Sequence, residues 1–257
     1  MSPAAVAARL PEFVALARAA GREILAHRGA GARRKADSSP VTDADEAAEA
    51  VLLAGLGGLT PDLPIVSEEQ VSAGTGGFVG ETPPSFWLVD PLDGTREFVA
   101  GRDTFSVNLA LIVGRFPALG VVHDPVGDVT WTGTATGATR IESGAARPIR
   151  TRPPPSAGLD VVSSFSHGDE AALAGFLDEE SVASHRRLGS AIKFGLLAEG
   201  KADLYPRFGA TMEWDTAAGQ AVLEAAGGRV ETLAGARLAY GKPGFRNPDF
   251  IARGARA

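Results

Sequence analysis

The stretch WLVDPLDGTREF, Trp87–Phe98, ends an apolar run in a carboxylate. A proline follows, then a second aspartate three residues after the first, then Gly-Thr. A core strand gains nothing from Asp90, because burying an unpaired charge costs more than a hydrogen bond returns. A surface turn can use one Asp, but it has no need of the whole set. Pro91 fixes one φ angle, and Gly94 permits a conformation that other residues resist. The chain can therefore bend until Asp90 and Asp93 point to one place, with the Leu92 carbonyl aimed there too. Carboxylates brought together repel and raise each other's pKa, so their convergence predicts a cation. Two carboxylates and a carbonyl are hard oxygen donors that suit Mg²⁺. Thr95 adds a hydroxyl at the start of the next helix, whose N–H groups offer a phosphate seat. Such a constellation suits metal-assisted hydrolysis of a phosphate ester, with a metal-activated water as nucleophile.

Three other acidic places share one feature: each lies where an element starts or stops. Asp43 and Asp45 open a helix, Glu68 and Glu69 close the strand PIVSEE, and Asp215 opens a helix in EWDTAAG. Singly, each has a plain structural reading. Asp43 and Asp215 suit helix caps, and Glu68–Glu69 a solvated strand end. The four histidines, His27, His123, His167 and His185, are scattered without ligand spacing and read as surface or structural residues.

The rest of the chain sets the frame. Its 257 residues carry a net charge of −6, with 44% hydrophobic and 22% charged residues. That composition describes a globular protein, and the negative balance argues against a nucleic-acid polymer as ligand. A small phosphorylated ligand remains open, because a metal can supply positive charge locally. There is no cysteine, which removes thiolate chemistry and Cys-ligated zinc. No apolar run of about 18 residues predicts a transmembrane helix. Near the N-terminus, Val6, Leu10, Phe13, Val14, Ala17, Ile24 and Leu25 recur at helical spacing. Arg9, Glu12, Arg18, Arg22 and Glu23 interrupt any leader-like core, so a mature helix in a cytoplasmic protein is expected. Pro11 either nicks this helix or begins it.

Residues 29–45 read as a polar loop running into a second helix, near Thr42 or Asp43. Then come PIVSEE, a Gly-rich loop over 73–80, the opening stretch, and strands SVNLALIV, ALGVVHD and DVTWTGTATG. ARPIRTRPPPSAG, Ala146–Gly158, reads as a linker, because three consecutive prolines fit neither a helix nor a central strand. The division is thus residues 1–146, α+β with most of the acids, and residues 147–257, where strands and helices alternate. The second half carries Asp215.

DPLDGT and WDTAAG also carry a resemblance. With KADSSPVTDAD, IVSEE, FSVNLALI and GSAIKFGLLAEGKADLYPRFG in order, the chain resembles the lithium-sensitive, Mg²⁺-dependent phosphatases that include inositol monophosphatase and fructose-1,6-bisphosphatase. Within them it is most similar to the CysQ-type 3′(2′),5′-bisphosphate nucleotidases, from about Lys35 to Gly228. The resemblance implies a layered α/β fold, a five-layer α-β-α-β-α sandwich with the site between the halves. It implies Glu68, Asp90 and the Leu92 carbonyl on a first metal, and Asp90, Asp93 and Asp215 on a second, with a third metal near Glu68 in some relatives. Thr95 with Asp45 or Glu69 would orient and deprotonate the attacking water; Asp45 matches the acid of the PVTxAD motif. The Gly94 and Thr95 N–H groups would hold the scissile phosphate.

The implied substrate is adenosine 3′,5′-bisphosphate, with its sulfated form as a second candidate. Its uncleaved 5′-phosphate needs a cationic clamp, for which Lys193 and Arg207 are the candidates, with Ser190 and Tyr205 beside them as further substrate-binding candidates. Alone, Lys193 reads as snorkelling on a helix and Arg207 as pairing a local acid. Arg96 stands where relatives often have Lys. His123-Asp124 departs from the pattern and is a candidate for base recognition, and the loop 73–80 is a candidate flap. An inositol-phosphate phosphatase on the same metals and a catalytically silent nucleotide-binding protein are the alternative readings.

Overall fold

Successive residues of the strand leading into Asp90 face opposite layers of helix. In the computed structural model, residues 2–29, 32–34, 40–78, 80–165 and 168–255 are described. Lys35–Ser39 of the polar loop, Val79 of the Gly-rich loop, and His167 lie outside them. Helices α1 (Pro3–Ala7) and α2 (Leu10–Ala26) come first. Pro11 lies in the first turn of α2, where its missing N–H costs no helical bond. Strands β1 (Ala32–Arg34) and β2 (Pro40–Thr42) pair antiparallel ahead of helix α3 (Asp43–Leu59). The residue capping α3 is Thr42, not Asp43: its Oγ1 accepts the Ala44 N–H, and the Asp45 carboxylate accepts the Thr42 N–H at 2.7 Å. A hydroxyl three residues before an acid closes a capping box, so Asp43 is left to pair with Arg33 at 2.9 Å.

Strand β3 (Ile65–Ser67), helix α4 (Glu68–Ser72), strand β4 (Ser85–Asp93) and helix α5 (Thr95–Val99) follow. Strands β5 (Ser106–Val113), β6 (Phe116–Asp124), β7 (Val129–Thr134), β8 (Gly137–Glu142) and β9 (Ala145–Ile149) complete a seven-stranded sheet in sequence order. Only β3 and β4 run parallel in it. Trp87, Val89 and Leu92 pack with Phe13, Ala17 and Leu52 of α2 and α3. Phe86 and Leu88 enter the opposite core. A sheet covered on both faces makes its strands apolar throughout, which is why β4 and β5 read as unbroken apolar runs. DVTWTGTATG is not one strand: it folds back after Thr134 as the β7–β8 hairpin. Ala145–Ile149, at the start of the predicted linker, is the edge strand β9, a place that accepts Pro148. The proline-rich connection is thereby confined to 150–158.

The second half contributes β10 (Leu159–Ser164), α6 (Glu170–Asp178), β11 (Val182–Leu188), α7 (Ile192–Ala198), β12 (Leu204–Arg207), α8 (Ala217–Ala225), β13 (Arg229–Thr232) and β14 (Phe250–Arg253). Its five strands are ordered β11-β10-β12-β14-β13. Phe194, Val222 and Leu223 of α7 and α8 share one core with Leu88 and Trp131 on the first sheet and Val162, Tyr205 and Phe250 on the second. On the far side, Phe176 and Leu177 of α6 cover Val161, Leu204 and Ile251. The layers are therefore α-β-α-β-α, as the resemblance implies. No helix among the described residues is long and apolar enough to cross a membrane.

The middle helices lie close to the first sheet. Gly120 and Gly133 are cross-strand partners on β6 and β7. A Cβ at Gly120 would come within 2.4 Å of the Ala218 carbonyl oxygen, and one at Gly133 within 2.3 Å of that of Ala221. Backbone of α8 thus rests directly on backbone of the sheet, and the 3₁₀ turn Glu213–Asp215 is carried in with it.

Candidate active site and metal centre

DPLDGT is a bulge rather than a turn. Asp90 pairs with Asn108 and Asp93 with Ser106, so β4 carries one residue more than β5 between them. Pro91, which has no N–H to give the ladder, suits that place. The bulge aims both aspartates to one side, and Asp90 Oδ1 accepts the Leu92 N–H at 3.1 Å. Gly94 follows at φ 98°, ψ 36°, with the Thr104 carbonyl oxygen 3.1 Å from where a Cβ would stand. This left-handed step is open to glycine, and it starts α5 with Thr95.

A cavity of about 330 Å³ opens beside the bulge, between the two halves. Carboxylates Glu68, Asp90, Asp93, Glu97 and Asp215 line it, against the bases Arg96, Lys193 and Arg207. Glu68, Asp90 and Asp215 each place a carboxylate oxygen within 4.8 Å of the others. They come from the start of α4, the end of β4 and the turn before α8. Burial pushes the Asp215 carboxyl well above its usual range, and the charges of Asp93 and Glu68 add to the shift. A set of mutually repelling oxygen donors, one buried and two half-buried, without histidine or thiol fits a hard divalent cation such as Mg²⁺.

Asp93 lines the same cavity but stands outside that trio. Its Oδ2 accepts the Asn108 side-chain amide at 3.1 Å and the Ala191 N–H at 2.6 Å. Burial raises its pKa to about 6, against the pull of Lys193. Leu92 presents its carbonyl, which accepts the Thr95 hydroxyl at 3.1 Å.

Thr95 Oγ1 is also 3.1 Å from Asp45 Oδ1. Asp45 is buried behind it, with Oδ2 committed to the Thr42 N–H and hydroxyl, each at 2.7 Å. Burial raises the Asp45 pKa, and Glu68 adds to this, while the Thr42 and Thr95 bonds oppose it. Glu69 is half-buried on α4 and does not line the cavity.

On the opposite wall stand Ser190, Lys193, Tyr205 and Arg207. Ser190 adopts φ 54°, and its carbonyl accepts Lys193 Nζ at 2.7 Å. Lys193 does not snorkel: it is buried, bonds the Leu188 carbonyl at 3.1 Å, and lies 4.9 Å over the Tyr205 ring. Burial lowers its pKa to about 8, with Asp93 opposing. Burial likewise raises Tyr205 to about 12. Arg207 Nη2 donates to the Ala210 carbonyl at 2.8 Å.

Asn108 is hidden from motif reading. Its only signal is an amide inside the apolar run SVNLALIV; its bond to Asp93 depends on cross-strand register. Two other expectations fail. His123 does not line the cavity: it is buried against α2, bonds Thr130 Oγ1 at 3.0 Å, and stands 2.8 Å from where a Gly21 Cβ would be. Nor does any described residue of the Gly-rich loop line the cavity. Phe78 anchors that loop, 4.8 Å from Phe86 and 5.6 Å from Phe245, because a large apolar ring among glycines is drawn into the core.

Comparison with known proteins agrees with this geometry. The inositol monophosphatase family model matches residues 7–253. The 3′(2′),5′-bisphosphate nucleotidase CysQ of Escherichia coli (strain K12) is 46% identical over 219 residues, covering 84% of this chain and 86% of that protein. The crystal structure of CysQ from Bacteroides thetaiotaomicron superposes with a TM-score of 0.78 at 31% identity, over 97% of this chain and 98% of that one. An inositol monophosphatase of Thermotoga maritima gives 0.75 at 27% identity, over 95% and 91%.

Proposed function

The chain belongs to the inositol monophosphatase family, and from that premise we propose that it is a Mg²⁺-dependent 3′(2′),5′-bisphosphate nucleotidase. It releases the 3′-phosphate of adenosine 3′,5′-bisphosphate, leaving AMP, and treats the sulfated form of that nucleotide in the same way. The observation that carries the reading is the nucleotidase relative at 46% identity over most of both chains. The acid-lined cavity supports it.

In this reading Glu68, Asp90, Asp93, Asp215 and the Leu92 carbonyl hold two or three Mg²⁺ ions. When bound, Mg²⁺ neutralises the phosphate and lowers the pKa of water. The Gly94 and Thr95 N–H groups orient the scissile phosphate. Thr95 would take a proton from the attacking water as its own hydroxyl proton passes to Asp45, whose Oδ1 lies 3.1 Å from Thr95 Oγ1. A carboxylate with a raised pKa is the better acceptor at neutral pH, and Asp45, unlike Glu69, is in hydrogen-bond reach of Thr95. Across the cavity, Arg207 takes the 5′-phosphate. Lys193 adds positive charge beneath the wall and braces the loop carrying Ser190 through its carbonyl bonds.

Phosphate release should be measured on adenosine 3′,5′-bisphosphate and on inositol 1-phosphate, each with Mg²⁺ and with EDTA. Faster release from the nucleotide, abolished by EDTA, is expected. No release from the nucleotide overturns the reading, and faster release from inositol phosphate favours the second one, for which the Thermotoga neighbour is the motivating likeness.

A further inference from the structure

One aromatic ring, next in sequence to a cavity-lining residue, has no part in any of the three apolar cores. Phe165 follows Ser164, the last residue of β10, which lines the cavity. It is 43% exposed, although most large apolar side chains near the site are buried. Across from it runs the loop after α5. Arg102 begins there, with its N–H bonded at 2.9 Å to the carbonyl of Glu97, another cavity-lining residue. The same loop lies against the second half, since a Cβ at cavity-lining Gly189 would meet the Thr104 carbonyl oxygen at 2.3 Å. The Arg102 guanidinium sits over the Phe165 ring, 4.2 Å from its centroid. One half of the protein supplies the cation and the other the ring.

A lone exposed phenylalanine calls for no explanation. This one is set beside the cavity by its neighbour in sequence and covered by a guanidinium, which interacts with the ring's π face. The arrangement leaves ring surface open to solvent one residue beyond cavity-lining Ser164 and near the loop that leaves cavity-lining Glu97. We propose that Phe165, held by Arg102, is the platform on which the base of the nucleotide substrate stacks. Phe165 then contributes to specificity, favouring a planar base over a cyclitol, and Arg102 is its positioning residue. Stacking tolerates any base with a π face, so the platform selects nucleotides as a class rather than adenine alone.

This inference rests on the nucleotidase reading, and the test separates the two. Wild type, Phe165→Ala and Phe165→Tyr are assayed for KM and kcat on adenosine 3′,5′-bisphosphate. The inhibition constant of inorganic phosphate, which lacks a base, is measured in parallel. The expected result is a rise of about tenfold in KM for Phe165→Ala, with kcat and the phosphate constant unchanged and KM restored by Phe165→Tyr. Arg102→Ala raises the same KM by a smaller factor. A wild type that fails to hydrolyse the nucleotide overturns both readings. A wild type that hydrolyses it, with KM unmoved by Phe165→Ala or with the phosphate constant rising in step, overturns the platform alone.

Discussion

Asp93 Oδ2 accepts the backbone N–H of Ala191 at 2.6 Å, joining residues 98 apart in sequence. The bond ties the bulged end of β4 in the first half to the start of α7 in the second. One carboxylate therefore lines the cavity and ties down the opposite wall.

Asp93→Asn keeps an oxygen for the Ala191 N–H while removing the charge. Turnover should fall by about a hundredfold or more, the usual scale for losing a preorganised charge. The thermal midpoint should move by only about a few degrees. Steady-state kinetics beside a melting curve checks both, and an unchanged rate would remove Asp93 from the catalytic set.

Thr95→Ala removes the hydroxyl that stands between the cavity and Asp45. We expect kcat to fall about a hundredfold, with Thr95→Ser retaining most of the activity. If the serine variant is as impaired as the alanine variant, the methyl group rather than the hydroxyl is what matters.

His123 makes stability depend on pH. Burial lowers its pKa from 6.5 to about 4, and Arg18 and Arg22 of α2 push the same way, against Asp128. Between those values the unfolded state binds the extra proton, so stability is complete above about pH 6.5 and is lost as pH falls toward 4. The full shift corresponds to roughly 3 kcal/mol. Urea unfolding at pH 7 and pH 4.5 should show the loss, and His123→Asn should flatten it. An equal slope in the variant would assign the acid sensitivity to other groups.

Glycines beneath α8 and on α3 should respond with opposite signs. Gly120→Ala places a methyl against the Ala218 backbone and should destabilise by about 1–3 kcal/mol, lowering activity as Asp215 is displaced. At Gly57 in α3 an added methyl would meet nothing within 4 Å, so Gly57→Ala should stabilise by about 0.5–1 kcal/mol. Denaturant midpoints for both variants decide the matter.

Local chemistry explains how much of this is legible in the sequence. Asp90, Asp93, Gly94 and Thr95 lie within six residues, so backbone constraints alone place them together. Strand–helix alternation after residue 158 makes α/β layering legible, whereas the five-layer order comes from the resemblance. Long-range register is out of reach. Asn108 reaches Asp93 only because β5 opposes the bulge, and β9 is a strand only because β8 offers an edge. The cap on α3 falls one residue before Asp43, since Thr42 and Asp43 both have capping side chains and the reciprocal bond to Asp45 decides between them. His123 sits on β6, a strand of the sheet that carries the site, but its ring faces α2, and no motif reports that direction.

The glycine pair beneath α8 has a consequence for ion choice. A helix that rests on long side chains can shift when their rotamers change; one that rests on the backbone of Gly120 and Gly133 has no such cushion. Asp215 is delivered by that helix and Asp90 by the sheet it touches, so the span between them is set by main-chain contact, like the jaws of a fixed caliper. Mg²⁺ takes oxygen at about 2.0–2.1 Å and Ca²⁺ at about 2.3–2.6 Å in looser shells. If the proposed Mg²⁺ sits between them, a gap that cannot breathe would discriminate by radius, and two residues without side chains, away from the ion, would set it.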